Sequence, residues 1–141
     1  MNQEFITADQ ITAPIRKSIA TQIELNARLC SQMKIVEDYM PQALEQHNAL
    51  PTTARSQHMF AVESLVENDE KNLRIILDCN EKMIAELHKS AKTVASAGHA
   101  YREQTLSRIF QLEELVKQLN QEIHVHFEKV NLDLSKMHTA H

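Results

Sequence analysis

The sequence predicts an all-α protein: an elongated antiparallel three-helix bundle with coiled-coil-like heptad packing. Three observations carry that reading. The 141 residues include one glycine (Gly98) and three prolines (Pro14, Pro41, Pro51), whereas β-rich and α/β chains need many turns built on those residues. Ala, Glu, Lys, Leu and Arg, which cost least in a helix, recur throughout. Apolar residues also return at alternating steps of three and four over long stretches, the period of helices packed at a shallow angle. A chain of this length supports one modest core, so residues 1–141 read as a single helical domain.

The first helix is expected over residues 14–48. Thr7 to Gln10 fit a capping box, with Ile6 and Ile11 placed as a hydrophobic staple. Pro14 lies too deep for that turn to continue undisturbed, so a short turn followed by a main helix from Thr12 to Pro14 satisfies both signals. Its seam is Ile15, Ile19, Asn26, Leu29, Met33, Val36, Met40, Ala43 and His47, and Pro41 predicts a kink. The stretch NALPTTAR (residues 48–55) is the clearest loop, with Thr52 or Thr53 as the next N-cap.

A second helix is expected over residues 54–97, with a seam from Met59 through Val62, Val66, Asp69, Leu73, Ile76, Asn80, Met83 and Leu87 to Ser90 and Val94. Gly98 is its C-terminal cap. A third, over residues 100–137, carries Ile109, Leu112, Val116, Leu119, Ile123, His126, Val130 and Met137, with a gap at Asp133. Further apolar residues flank the seams, among them Ile23, Leu44, Ile84, Leu106, Leu115, Phe127 and Leu134, a width that suits bundles of three or four helices. Glu67 with Lys71, Glu70 with Arg74, Asp78 with Lys82 and Glu113 with Lys117 stand four apart as supports of solvated faces.

Reversal at Gly98 sets Leu73 opposite Ile123, Met59 opposite Met137 and Ser90 opposite Thr105. Reversal near Pro51 sets Met33 opposite Leu73 and Asn26 opposite Asn80. The polar matches matter most, because a polar group in a seam needs a partner. Val62 facing Asp133 is a mismatch unless Leu134 turns inward. The alternative is a helical hairpin in which one very long helix runs on through Gly98 and completes its core by oligomerising.

Composition narrows the functions. Net charge is −4, with both signs interspersed and no obviously basic face, which disfavours nucleic acid. No apolar run is long enough to span a membrane, and the N-terminus lacks the pattern of a secretory signal. Cys30 and Cys79 show no zinc spacing and read as reduced, so a cytoplasmic location is the default. No phosphate loop, nucleophile elbow or H-E-x-x-H occurs, so no catalytic residue is assigned.

Eight histidines are the chemistry-bearing residues of the sequence. His124 and His126 would share a face on a strand. On a helix they point about 200° apart and cannot grip one ion. His124 with Glu128 and His99 with Glu103 are isolated pairs, and no Glu-x-x-His occurs, so neither a metal nor a cofactor is expected. His47, His58, His88, His99, His138 and His141 are expected at solvated or edge positions. His126 falls in the seam, where Asp69 is its nearest partner on the second helix, beside Val36. With Asn26 and Asn80 these residues form the expected buried polar layers. The Asp69–His126 layer fixes register, as polar seam residues do in coiled coils, or acts as a pH-sensitive latch.

Some apolar residues fall outside the seams: Ile35, Ile75, Phe110, Val125 and Leu132. With Phe127 and Leu134 nearby, the candidate interaction surface is Phe110, Val125, Phe127, Leu132 and Leu134. The expected function is a non-enzymatic protein–protein interaction module, an adaptor, chaperone-like or structural component that binds a protein partner or itself and forms a homo-oligomer. The alternative is a helical sensory or ligand-binding bundle with a pH-responsive Asp–His layer. A bundle that opens onto lipid has weaker support, because its polar faces are not lysine-rich.

Overall fold

The structure, a computed structural model, describes residues 8–98 and 101–139. The capping box with its flanking Ile6 and Ile11, together with His99 and His141, falls on residues or side chains outside that description. Three helices follow in order: α1 (Ala8–Ala49), α2 (Thr52–Ser96) and α3 (Arg102–Thr139). The protein is an all-α three-helix bundle, and the alternative of one helix running through Gly98 is not adopted.

α1 departs from the expected two-piece start and runs unbroken through both Pro14 and Pro41. A proline inside a helix forfeits one backbone hydrogen bond and crowds the preceding turn. At Pro41 the flanking residues explain why the helix survives. Met40 and Ala43 are fully buried while Pro41 itself is exposed, so packing on the inner side holds the helix across the defect. α2 begins one residue after Pro51, and the Ala54 N–H donates to the Pro51 carbonyl (2.9 Å).

Gly98 does not act as the left-handed cap that the sequence predicts. Its φ is not positive, and α2 has already ended at Ser96. The last turn is closed from within. The Ala97 N–H donates to the Thr93 carbonyl (3.1 Å), and the Ser96 hydroxyl donates to the Lys92 carbonyl (3.0 Å). These bonds occupy the carbonyls that a glycine cap would otherwise satisfy.

Two compact units divide the bundle, and each draws on all three helices. The first joins α1 up to Ala27 with Cys79–Leu119. Its core is Ile19, Leu112 and Val116, flanked by Ile15, Met83, Ile84, Leu87 and Leu115. Here Asn26 Nδ2 donates to the Leu115 carbonyl (2.9 Å), and Gln22 Nε2 donates to Asn26 Oδ1 (2.8 Å). Gln22 and Asn80 are both buried. The expected Ser90–Thr105 pairing is not made: Thr105 Oγ1 is buried without a hydrogen-bond partner, and Ser90 is exposed.

The second unit joins Arg28–Asp78 with the chain from Asn120 onward. Its core is Met40, Ala43, Met59, Val62, Val66, Val130 and Met137, with Val36, Tyr39, Leu44 and Leu134 packed against it. Leu134 does turn inward, and Asp133 is left half-buried beside Lys136 (3.7 Å). Within this unit Asp69 meets His126 and Glu63 meets His138, so α2 runs down as α3 runs up. Cys30 meets Glu122 and Glu37 meets His126, so α1 and α3 run parallel.

Candidate functional site

The seam position of His126 follows from helical periodicity alone, and the structure places it there. Its side chain is 1% exposed, while His124, two residues earlier, is exposed. His126 Nε2 lies 2.7 Å from Asp69 Oδ2, which is the expected layer. Val36 lies on the neighbouring core cluster, as expected.

The sequence reading missed Glu37. His126 Nδ1 lies 2.9 Å from Glu37 Oε2, so the imidazole is bracketed by a carboxylate from each of the other two helices. Lys129 Nζ reaches the other oxygen of Glu37 (3.2 Å). The signal that marks Glu37 is the parallel α1–α3 register, which aligns only when both chain reversals are taken together. In that register Glu37 and His126 stand 89 residues apart.

Proton counting says what this layer can do. A neutral imidazole carries one N–H, and a carboxylate carries none. Satisfying both contacts takes two protons on the ring, or one on the ring and one on a carboxyl group. Burial alone would push the Glu37 carboxyl up. Hydrogen bonds from His126 and Lys129, and the charges behind them, outweigh burial and hold it below its ordinary value. Both carboxylates keep about a fifth of their side-chain surface in water (22% and 21%), so the layer is anchored inside and open at its rim.

Phe127 follows His126 along α3, and it is buried rather than part of an exposed surface. The Arg74 guanidinium lies over its ring, 5.2 Å from the centroid, and also pairs with Glu70 (2.8 Å). Phe127 therefore covers the flank of the layer. With Leu134 packed on the core as well, the candidate interaction surface reduces to Phe110, Val125 and Leu132, all exposed. Ile23, Ile35, Phe60 and Ile75 are more than half exposed too. Phe60 was not singled out in the sequence, because its position three residues after Gln57 and two before seam residue Val62 gives it no helical partner of its own kind.

Two other expectations change. Glu113 pairs with Lys117 (3.0 Å) as anticipated, but it is buried rather than on a solvated face, and His88 from α2 also binds it. Burial pushes the Glu113 carboxyl up, yet the hydrogen bonds and charges of Lys117 and His88 hold it below the ordinary carboxylate value. His47, expected at an edge, is fully buried with Nδ1 3.1 Å from His58 Nδ1. His138 is exposed and pairs with Glu63 (3.1 Å).

Cys30 behaves as a donor. Its thiol gives a hydrogen bond to Glu122 Oε2 (2.6 Å), and both cysteines are free thiols. Burial and the neighbouring Glu122 and Glu37 carboxylates push that thiol up to about 11. Among the described residues, no group of three or more His, Cys, Asp or Glu side chains could hold a metal ion, and no helix is long and apolar enough to cross a membrane. Comparison with known proteins gives no matching family model, no matching curated protein and no matching solved structure.

Proposed function

We propose that this protein is a non-enzymatic, cytoplasmic protein–protein interaction module that works through the outer faces of its helices and associates with itself. One observation carries the reading. Ile35 and Phe60 are 70% and 71% exposed, and Ile23, Ile75, Phe110 and Leu132 are each more than half exposed, although a separate residue set already fills the cores. Single exposed apolar side chains are ordinary on protein surfaces. Large ones on all three helices favour contact with another surface. On α3, Val125 and Leu132 stand seven apart and share a stripe, the spacing by which helices add to one another.

The test is light scattering coupled to size exclusion across a concentration series. The wild-type chain is expected to form a concentration-dependent oligomer, or to retain a partner through purification. Val125→Glu combined with Leu132→Glu is expected to lose that association and keep full helicity. A wild-type monomer at every concentration, with no co-purifying protein, contradicts the reading.

The Glu37–His126–Asp69 layer supports a second reading, a bundle whose stability responds to protons. Its check is the stability of His126→Leu measured from pH 5 to pH 8. A profile parallel to that of the wild type dismisses this role and leaves the layer as a device that fixes register.

A further inference from the structure

The second unit holds a second arrangement of imidazoles whose proton logic runs opposite to that of His126. His47 stands one turn beyond Ala43 in the α1 seam and is fully buried. His58 is half-buried in the second turn of α2. Their Nδ1 atoms are 3.1 Å apart, with ring centroids 5.3 Å apart and planes at 33°. At that separation one Nδ1 must carry the hydrogen and the other must offer its lone pair.

The bond therefore tolerates a limited number of protons. Two neutral rings satisfy it, one as the Nδ1–H tautomer and the other as Nε2–H. One further proton can sit on Nε2 of the donor ring without disturbing the bond. The next has only the accepting Nδ1 left. Once it binds there, two N–H groups face each other and two positive rings adjoin the apolar cluster of Ala43 and Met59.

The charged neighbours do not relieve this. On α2, Arg55 adds a cation at the same end and donates to the carbonyls of Leu50 (3.1 Å) and Asn48 (3.2 Å). Glu63 of α2 takes His138 of α3, and Asp133 of α3 takes Lys136. On α1, Glu45 points into solvent. His126, by contrast, faces a carboxylate at each nitrogen and welcomes two ring protons.

We propose that the His47–His58 pair is a proton-operated clasp on the α1–α2 hairpin, closed while one Nδ1 remains bare and released when acid protonates both rings. Acidification then loosens the hairpin end of this unit while the Glu37–His126–Asp69 layer stays closed. This goes beyond the reading of the layer itself, because it rests on different residues and predicts the opposite sign.

Hydrogen exchange of the full chain, with a chelator present and intrinsic rates corrected for pH, tests the clasp. Between pH 7 and pH 5, protection over residues 40–62 is expected to fall at least tenfold, while residues 123–130 hold or gain. His58→Gln is expected to remove the pH dependence over residues 40–62, and His126→Gln to leave it in place. Should His58→Gln fail to fold, nitrogen NMR of the wild-type imidazoles replaces it: loss of protection must coincide with protonation of the second ring of the pair. Constant protection to pH 5, doubly protonated rings with protection intact, or a loss that appears only in chelator-free samples would each overturn the proposal.

Discussion

At His126, two ring nitrogens meet two carboxylates and almost no water, so removing the ring strands both acids. His126→Leu is expected to lower stability by about 1–3 kcal/mol near neutral pH, the cost of leaving polar groups unpaired in a partly buried place. The solvent still reaching Glu37 and Asp69 keeps the figure from the top of that range. Denaturant unfolding measures it. The carboxyls of Glu37 and Glu113 both lie below their ordinary value of 4.5 in the folded chain. Each therefore contributes stability that is complete above that value and is lost as pH falls through the folded one. Glu37→Gln should flatten the acid limb of the stability profile below about pH 4.5, and an unchanged limb would remove Glu37 from this account. Cys30 works at the other extreme. Its thiol is held at about 11 against an ordinary 9.0, so the stability it lends is complete below pH 9 and disappears toward pH 11. A thiolate-selective reagent at pH 8 should label exposed Cys79 well before Cys30; equal rates would contradict the bond to Glu122.

Helical elements were legible in the sequence because long amphipathic repeats and scarce turn residues leave few other ways to bury apolar surface. The positions that misled were those where packing outweighs local preference. Pro41 reads as a kink, yet Met40 and Ala43 hold α1 together across it. Gly98 reads as a cap, yet backbone and serine bonds close α2 before it is reached. A Cβ added at Gly98 meets nothing within 4 Å, and the φ there is one that any residue can adopt. Gly98→Ala is therefore expected to leave the fold intact and raise stability by about 0.4–1 kcal/mol, through the narrower unfolded ensemble. Thermal unfolding checks this, and a clear loss would restore the capping role. The site was half legible for a related reason. Helical period put His126 in the seam and α2–α3 register gave it Asp69. Glu37 lies outside the α1 seam and comes into place only through the third pairing. Burial of Phe127 and His47 was equally hidden, since period places a residue near a seam but does not say how far its side chain is covered.

For the whole molecule, the consequence is a division of labour between filled cores and apolar residues left outside them. Core truncations and surface substitutions should separate cleanly. Ile123→Ala, at a fully buried position, is expected to cost about 2–5 kcal/mol. Ile35→Ser should change monomer stability by no more than about 0.5 kcal/mol, because its side chain meets mainly water. All of this depends on α2 and α3 folding back so that three helices enclose His126. Spin labels on the exposed residues Asn68 of α2 and Glu128 of α3 measure that directly, in a chain with Cys30 and Cys79 replaced and diluted with unlabelled protein. Packed neighbouring helices with axes about 10 Å apart put the labels within roughly 30 Å of each other. A helix continuing through Gly98 would set them about 90 Å apart within one chain, and that distance would contradict the bundle and the layer inside it.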